Sequence, residues 1–155
     1  MKRFLSITFI LMTFMASCQK PPTIITEDSP GYSGTMKVVY EGKDFPQNNI
    51  VVKVETDLDA GTMDIRLEKV KFVPAMPVQI DVTIMDIPFE EAADGSLNFS
   101  ADGSVPWAMG GPYDTYRVDG LTGVIDGDEL SFSLDFHNTK KAVAYPTTYS
   151  GRKMD

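Results

Sequence analysis

The chain has 155 residues, of which 43% are hydrophobic, and it carries 14 Lys and Arg against 22 Asp and Glu. This length suits one domain with a single core. The net charge of −8 argues against binding to nucleic acid, because the phosphate backbone would repel so acidic a protein.

The first residues have the pattern of a bacterial secretory signal. Lys2 and Arg3 form a basic start, and an apolar run follows over residues 4–15. This run is shorter than the roughly 20 residues that span a bilayer and fits the apolar region of a signal peptide. Small residues then precede Cys18, the only cysteine of the chain. We therefore expect residues 1–17 to be a lipoprotein signal peptide and Cys18 to be the lipidated first residue of the mature protein.

An ordinary cleaved signal with an unmodified Cys18 is the alternative, but it would leave a free thiol in an oxidising compartment. A lipid anchor at Cys18 would supply stable membrane attachment. Gln19, and not an aspartate, follows the cysteine, and by the usual bacterial sorting logic this favours the outer membrane. We expect a lipid-anchored protein of the cell envelope that is attached to the membrane through Cys18.

A short tether is predicted next, over residues 18–31. It contains Pro21, Pro22 and Pro30, and prolines stiffen and extend a chain segment. The tether should hold the remaining domain, residues 32–155, away from the bilayer.

From Tyr32 onward the apolar residues recur with a period of two, which predicts strands with one face inward and one face toward water. Turn sequences rich in Asp and Gly separate the strands. Asp119-Gly120 is predicted to be a turn or a bulge. The predicted strands are 35–40, 49–56, 63–68, 78–84, 97–100, 116–118, 121–125 and 130–136, with a closing segment at 147–151.

Residues 88–93, Pro-Phe-Glu-Glu-Ala-Ala, are the one segment predicted to be helical, because Pro and acidic residues suit a first helical turn. Eight or nine strands with one apolar face favour a closed antiparallel meander barrel, since closure removes exposed sheet edges. An eight-stranded barrel has an interior that side chains can fill or that can hold one small ligand.

Three runs of the sequence are distinctive: residues 72–88, beginning Phe-Val-Pro-Ala-Met-Pro; residues 105–113, Val-Pro-Trp-Ala-Met-Gly-Gly-Pro-Tyr; and residues 118–133. Together with the lipoprotein signal they resemble the calycin-like β-barrel lipoproteins of Bacteroidetes. The resemblance covers roughly residues 32–151 and implies an eight-stranded antiparallel, lipocalin-like barrel. It implies no activity, because the function of that family is not established. The only tryptophan, Trp107, lies far from the first strand, where true lipocalins carry theirs, so no lipocalin ligand is implied.

The residues for catalysis are scarce, and we predict a protein that is not an enzyme and uses no cofactor or metal. His137 is the only histidine, and we expect it in a surface turn at a strand end rather than in a catalytic triad. One imidazole does not make a zinc site of the usual kind. The acidic pairs near residues 57–59 and 126–129 are predicted to be solvated turns, since they lack the spacing of a calcium loop.

Methionine and aromatic residues concentrate around the distinctive runs, and these residue types suit an adaptable apolar binding surface with a polar handle. We predict that they line a barrel mouth that binds a small hydrophobic or amphipathic molecule. The alternative is a filled barrel that acts as an interaction module or inhibitor toward another envelope protein. A cavity of about 300 Å³ or more would distinguish the two. The candidate ligand-binding residues are Met76, Met85, Phe99, Trp107, Met109, Tyr113 and Tyr116.

Overall fold

The computed structural model describes residues 22–155. The predicted signal peptide, the lipidation site Cys18 and the first part of the tether lie outside the described residues. Ten strands follow one another along the described chain. They are β1 (Gly31–Tyr40), β2 (Lys43–Asp57), β3 (Thr62–Val70), β4 (Ile80–Glu91), β5 (Leu97–Ala101), β6 (Trp107–Ala108), β7 (Gly111–Pro112), β8 (Tyr116–Asp126), β9 (Glu129–Asn138) and β10 (Val143–Lys153).

Eight of these strands form a closed antiparallel ring in the order β3-β2-β1-β10-β9-β8-β5-β4, which the pairing of β3 with β4 closes. Ring strands that are consecutive along the chain are also neighbours in the ring, and the last strand, β10, pairs with the first, β1. Strands β6 and β7 lie outside the ring as a hairpin within the connection from β5 to β8. The prediction of an all-β, eight-stranded antiparallel barrel is confirmed.

The predicted helical turn at residues 88–93 is wrong. Strand β4 continues through Glu91, and Phe89 pairs directly with Phe99 of β5. The half-buried Phe89 packs against the core, so burial and cross-strand pairing outweigh the local signal from proline and glutamate. The predicted strands 116–118 and 121–125 form the single strand β8, which has a register shift between Asp119 and Thr122. The bulge alternative for Asp119-Gly120 is therefore correct.

Inward-facing side chains from all eight ring strands form one hydrophobic core. Tyr149 is the largest fully buried side chain, and the single proton of its hydroxyl is shared between the backbone carbonyls of Tyr32 and Ile50, each 3.1 Å from the hydroxyl oxygen. These bonds join β10 to β1 and β2 from inside the barrel. Gly123 of β8 lies beneath the rings of Phe99 and Phe132, where an added Cβ would lie 2.6 Å from Phe132 Cβ. A glycine is needed there to let two aromatic rings fill the core.

The barrel has two different ends because its strands alternate in direction. The turns β2–β3, β4–β5 and β8–β9 lie at one end with both ends of the described chain, and we call this the tether end. The turns β1–β2 and β9–β10 lie at the opposite end, together with the loop 71–79 and the connection 102–115. We call this the loop end. No helix within residues 22–155 is long and apolar enough to cross a membrane.

The described part of the predicted tether lies against the barrel wall. The buried carboxylate of Asp64 on β3 accepts hydrogen bonds from Thr23 Oγ1 at 2.8 Å and from the Ile24 backbone N–H at 3.0 Å. Ser29 Oγ donates to Glu55 Oε2 at 2.9 Å, and Lys53 Nζ donates to the carbonyl of Glu27 at 2.8 Å. Residues 23–30, which we call the strap, are thus fixed on the outside of β2 and β3.

Candidate functional site

The loop end is closed by its own chain. Phe72 is fully buried, and its ring lies 4.3 Å, centre to centre, from the rings of both Tyr116 and Phe136. The backbone N–H of Phe72 donates to the sulfur of Met76 at 3.1 Å, and Met76 N–H donates to the carbonyl of Val73 at 3.2 Å. The loop 71–79 therefore folds back on itself and packs an aromatic plug against the inner face of β8 and β9.

A glutamine fixes the beginning of this loop. The side-chain amide of Gln47, on β2, donates to the carbonyl of Lys71 and accepts from its backbone N–H, both at 2.8 Å. A single amide that makes both bonds holds the loop to the neighbouring strand as a strand partner would. The plug is therefore part of the rigid barrel rather than an open flap.

Three of the seven predicted ligand-binding residues meet beside this plug. Tyr116 is buried, and burial raises its pKa. The ring of Tyr113 lies 5.6 Å from that of Tyr116, and both Tyr113 and Met76 pack against the core. A fourth residue, Phe99, is buried farther toward the tether end, with its ring 6.5 Å from that of Phe132. These four side chains fill space within the barrel.

The other three predicted residues lie on the outside. Trp107 pairs with Thr83, which in turn pairs with Arg66 of β3. Directly paired residues share one face of a sheet, and the neighbours of Thr83 on β4 point into the core, so Trp107 lies on the outer face. Met85, two residues beyond Thr83, is half-buried outside the core. Met109 is 68% exposed at the turn between β6 and β7.

The hairpin β6–β7 has two features that set it apart. Met109 has a φ of 52°, a left-handed conformation that costs energy for a residue other than glycine, and Gly110 follows with a φ of 83°. The indole N–H of Trp107 is buried and has no hydrogen-bond partner among the described residues. A buried donor without an acceptor costs about 1–3 kcal/mol. The hairpin thus holds an exposed methionine and an unsatisfied indole close together.

Shallow concavities lie on the outer surface of the barrel. Five of them have volumes of about 230 to 480 Å³, and of the seven predicted residues Phe99 alone lines one of these five. The core side chains occupy the barrel axis. The side chains of the predicted barrel mouth therefore form a wall and not the lining of a chamber.

One concavity lies at the loop end, between the turns β1–β2 and β9–β10. We call it the tyrosine groove, and its volume is about 460 Å³. The rings of Tyr40 and Tyr145 lie 5.9 Å apart in it. The negative charge of Glu41 beside Tyr40 raises the pKa of that tyrosine. The groove is lined by Val39, Tyr40, Glu41, Gly42, Lys141, Val143, Ala144, Tyr145 and Pro146.

The tyrosine groove was not predicted from the sequence. Tyr40 and Tyr145 are far apart in the sequence and come together only because β10 returns to pair with β1, and that closure depends on the whole barrel. A local signal was present in Lys140-Lys141, the only pair of adjacent lysines in the chain. These lysines form the turn β9–β10 at the rim of the groove.

The positions of the ionisable groups do not suggest a catalytic centre. His137 lies inside β9, not in the predicted surface turn, because β9 continues through Asn138 and pairs His137 with Arg117 and Ala144. Arg117 donates to Asp119 at 2.7 Å and holds the pKa of that carboxyl below its usual value. Within residues 22–155, no three His, Cys, Asp or Glu side chains are arranged to hold a metal ion. The absence of enzymatic activity stays a prediction.

Neither a protein-family model nor a curated protein matches the sequence. A solved structure has a similar fold. It is a crystal structure from Bacteroides fragilis, described as a "putative outer membrane protein", with a TM-score of 0.59 and 14% sequence identity. The match covers 81% of this chain and 50% of that protein, so the chain spans half the length of its structural relative. At this identity the likeness establishes the fold alone.

Proposed function

We propose that this protein is a non-enzymatic, lipid-anchored protein of the cell envelope, of the calycin-like barrel type, that uses its loop end to bind another envelope protein. The observation that carries this proposal is the filled interior. Phe72 closes the loop end, and the core side chains occupy the axis. A barrel that is filled in this way offers its outer surface and its loops, rather than a chamber, for recognition.

The strap supports this arrangement. If Cys18 carries the lipid, only three residues separate it from Pro22 at the start of the described chain, and the four residue steps from Cys18 to Pro22 span at most about 14 Å. The strap is fixed near the tether end by Asp64 and Glu55. The tether end is then held next to the bilayer.

The loop end is presented on the opposite side. Strand β1 has ten residues, which extend about 33 Å along the strand and about 25 Å along a barrel axis inclined by about 40°. A partner in the periplasm or at the cell surface therefore meets the loop end first. The exposed side chains of Val78, Val105, Met109 and Val143 are all found at this end.

Site-specific photo-crosslinking in the native host tests the proposal. A photoreactive residue replaces Met109 or Val143 at the loop end, and Leu58, 78% exposed, is the matched position at the tether end. We expect a discrete crosslinked species from the loop-end positions and none from Leu58. Crosslinks of equal intensity from both ends, or from Leu58 alone, would contradict the proposal.

The lipid anchor has its own test. Replacing Cys18 with Ala should move the protein from the membrane fraction to the soluble fraction after cell lysis, with no change in its melting temperature. Retention of the Cys18→Ala protein in the membrane fraction would contradict the anchor.

A second candidate function is binding of a small amphipathic molecule, and the unsatisfied indole N–H of Trp107 beside the exposed Met109 favours it. A ligand with a hydrogen-bond acceptor and an apolar body would satisfy both. Native mass spectrometry of the protein purified from its own host tests this function. A small molecule that is released on denaturation would support it, and a bare protein mass together with unchanged Trp107 fluorescence on addition of fatty acids would contradict it.

A further inference from the structure

The lysines of this acidic protein are distributed unevenly. Among the described residues, five of the eleven Lys and Arg side chains form ion pairs within 4.0 Å, and Arg117–Asp119 is the shortest of these at 2.7 Å. Six lysines within residues 22–155 form no such pair. One, Lys153, lies at the tether end. The other five lie at the loop end, and they are Lys43, Lys69, Lys71, Lys140 and Lys141.

These five lysines, which we call the lysine rim, occupy one continuous side of the barrel. Lys69 and Lys71 lie at the end of β3, Lys43 begins β2, and the last two form the turn between β9 and β10. The ring order β3-β2-β1-β10-β9 makes these elements neighbours. Unpaired charges of one sign on adjacent elements produce a local potential that attracts the opposite charge, even when the net charge of the protein has the same sign as the ligand.

The tether end has the opposite character. Its three hairpins carry no Lys or Arg among their turn-flanking residues and contain eight acids. These acids are Asp57, Asp59, Glu90, Glu91, Asp94, Asp126, Asp128 and Glu129. Acids also lie beside the lysine rim, at Glu41, Asp44, Glu68 and Asp81, but Asp44 and Glu68 are paired with Lys37 and Arg66. The five lysines therefore outnumber the remaining acids, and a negatively charged partner would be attracted more strongly at the lysine rim than at the tether end.

The tyrosine groove lies within the lysine rim and is mostly apolar. Glu41 and Lys141 are the only charged residues among its nine lining residues. Of its lining residues, Val143 is 43% exposed, whereas Tyr145 is buried. Apolar side chains of a partner can enter this groove while acidic side chains reach the lysines around it. An unbranched polyanion would satisfy the lysines but would leave the apolar groove unused.

Hydrogen bonds fix the turn β9–β10, which carries Lys140 and Lys141 of the rim. The side-chain oxygen of Asn138, itself buried, accepts hydrogen bonds from the backbone N–H groups of Lys140 and Lys141, both at 3.1 Å. Thr139 Oγ1 donates to the carbonyl of Asp114 at 2.9 Å, which ties the same turn to the connection 102–115. A rim that is already ordered loses little conformational entropy when a partner binds.

We propose that the lysine rim and the tyrosine groove together bind an acidic peptide segment of a partner protein, one that places at least one large apolar side chain in the groove. This inference rests on the proposed function, because it identifies the part of the loop end that makes the contact. Charge complementarity selects the acidic residues of the partner, and the apolar groove selects a peptide rather than a uniformly charged polymer.

A labelled-peptide measurement on the full chain, purified in detergent, tests the inference. The probe is a fluorescein-labelled 12-residue peptide of alternating Glu and Phe, and the comparison peptides replace Phe with Ser or Glu with Lys. We expect saturable binding of the Glu/Phe peptide by fluorescence anisotropy, weakened about tenfold or more between 50 and 300 mM salt. The Glu/Ser and Glu/Lys comparison peptides should bind at least about tenfold more weakly.

Charge reversal provides the matched variants. The double substitution Lys140→Glu and Lys141→Glu should weaken binding of the Glu/Phe peptide by about tenfold or more. Lys153→Glu, which reverses an unpaired lysine at the tether end, should change it by less than about twofold. Val143→Ser tests the groove separately, because it removes an apolar side chain without adding a charge beside the rim, and it should weaken binding. An unchanged circular dichroism melting curve shows that each variant is folded.

Two results would overturn the inference. Equal weakening by Lys153→Glu and by the double variant would show a general effect of net charge. Dimerisation of the wild type in analytical ultracentrifugation, lost in the double variant together with peptide binding, would show that the rim binds the acidic tether end of a second copy instead.

The crosslinking experiment separates this inference from the proposed function. If the photoreactive residue at Met109 still captures its partner when Lys140 and Lys141 are reversed, the loop end binds a partner by another route, and only the further inference fails. If no loop-end position captures a partner in the wild type, the proposed function itself fails.

Discussion

The two ends of this barrel are built from the same strands but have different chemistry. The tether end consists of tight hairpins rich in Asp and Glu, with the strap fixed on its side. The loop end consists of two long connections, a buried aromatic plug and the unpaired lysines. Short, acidic, uniform turns suit an end that only needs solubility, whereas long and individually stabilised connections suit an end that makes specific contacts. This difference is the basis on which we propose recognition at the loop end.

Removing the plug at the loop end should give the largest loss of stability. Phe72→Ala removes a fully buried ring that contacts Tyr116 and Phe136. We expect it to lower the free energy of unfolding by about 3–5 kcal/mol, as for other buried Phe-to-Ala changes. Urea unfolding followed by circular dichroism measures the loss. Leu58→Ala at the tether end is the control, because Leu58 is exposed, and it should change stability by less than about 0.5 kcal/mol. Similar losses in both variants would contradict a structural plug.

Glycine substitutions compare the crowded interior with the open hairpin β6–β7. Gly123→Ala places a Cβ against Phe99 and Phe132, and overpacking of this kind costs about 1–3 kcal/mol. Gly111→Ala, in β7, meets no atom within 4 Å and has no left-handed φ, so we expect almost no loss. The melting temperatures of the two variants measure the difference. A stable Gly123→Ala protein would mean that the aromatic rings have room to shift.

The strap is tested through Asp64. Asp64→Ala removes the acceptor for Thr23, for Ile24 and for the backbone N–H of Asp86 at 2.9 Å. We expect a stability loss of about 1–3 kcal/mol from the unsatisfied donors. Hydrogen exchange should become faster in residues 23–30 while the amides of β9 keep their protection. Asp59→Ala, in the exposed turn β2–β3, is the control. Unchanged exchange in the strap would show that the contact with Asp64 does not hold it.

The period of two along the chain was enough to predict the closed barrel, since alternation in strands such as β9 is set by residues that are close in sequence. The helical prediction at residues 88–93 failed because Phe89 forms its decisive contacts with Phe99, on another strand. The positions of side chains in the long loops were also difficult to predict from the sequence. Sequence placed Trp107 and Tyr116 together at a mouth, but only the pairing of Trp107 with Thr83 reveals that its side chain faces outward.

The tyrosine groove and the lysine rim lay beyond sequence reasoning for a related reason. Tyr40 and Tyr145 come together only through ring closure between β1 and β10, and a lysine is recognised as unpaired only when the acids around it have been located. Local pattern therefore predicts the architecture, whereas the surface that distinguishes the two ends depends on long-range contacts.

The buried hydroxyl of Tyr149 gives the smallest effect, and it depends on pH. Burial raises the pKa of Tyr149 in the folded protein above its ordinary value of 10.0. Folding therefore favours the neutral form of Tyr149. The stability that results is present below pH 10. It is lost as the pH rises above 10, because the tyrosine then ionises in the unfolded chain while it stays neutral in the folded protein. Tyr149→Phe should cost about 1 kcal/mol at pH 7, since the carbonyls of Tyr32 and Ile50 lose a donor.

The same variant should lose less stability than the wild type between pH 9 and pH 11, because it has no hydroxyl to ionise. Urea midpoints at pH 7, 9 and 11 measure both effects. Tyr40→Phe is the comparison variant: the charge of Glu41 raises the pKa of Tyr40 as well, but its side chain is only partly buried, so this variant should change the alkaline fall less than Tyr149→Phe. A Tyr149→Phe protein whose stability falls as steeply as the wild type above pH 9 would show that another group controls the alkaline transition. A shallower fall in Tyr149→Phe than in Tyr40→Phe would show that the alkaline loss of stability comes from the hydrogen bonds that join β10 to β1 and β2.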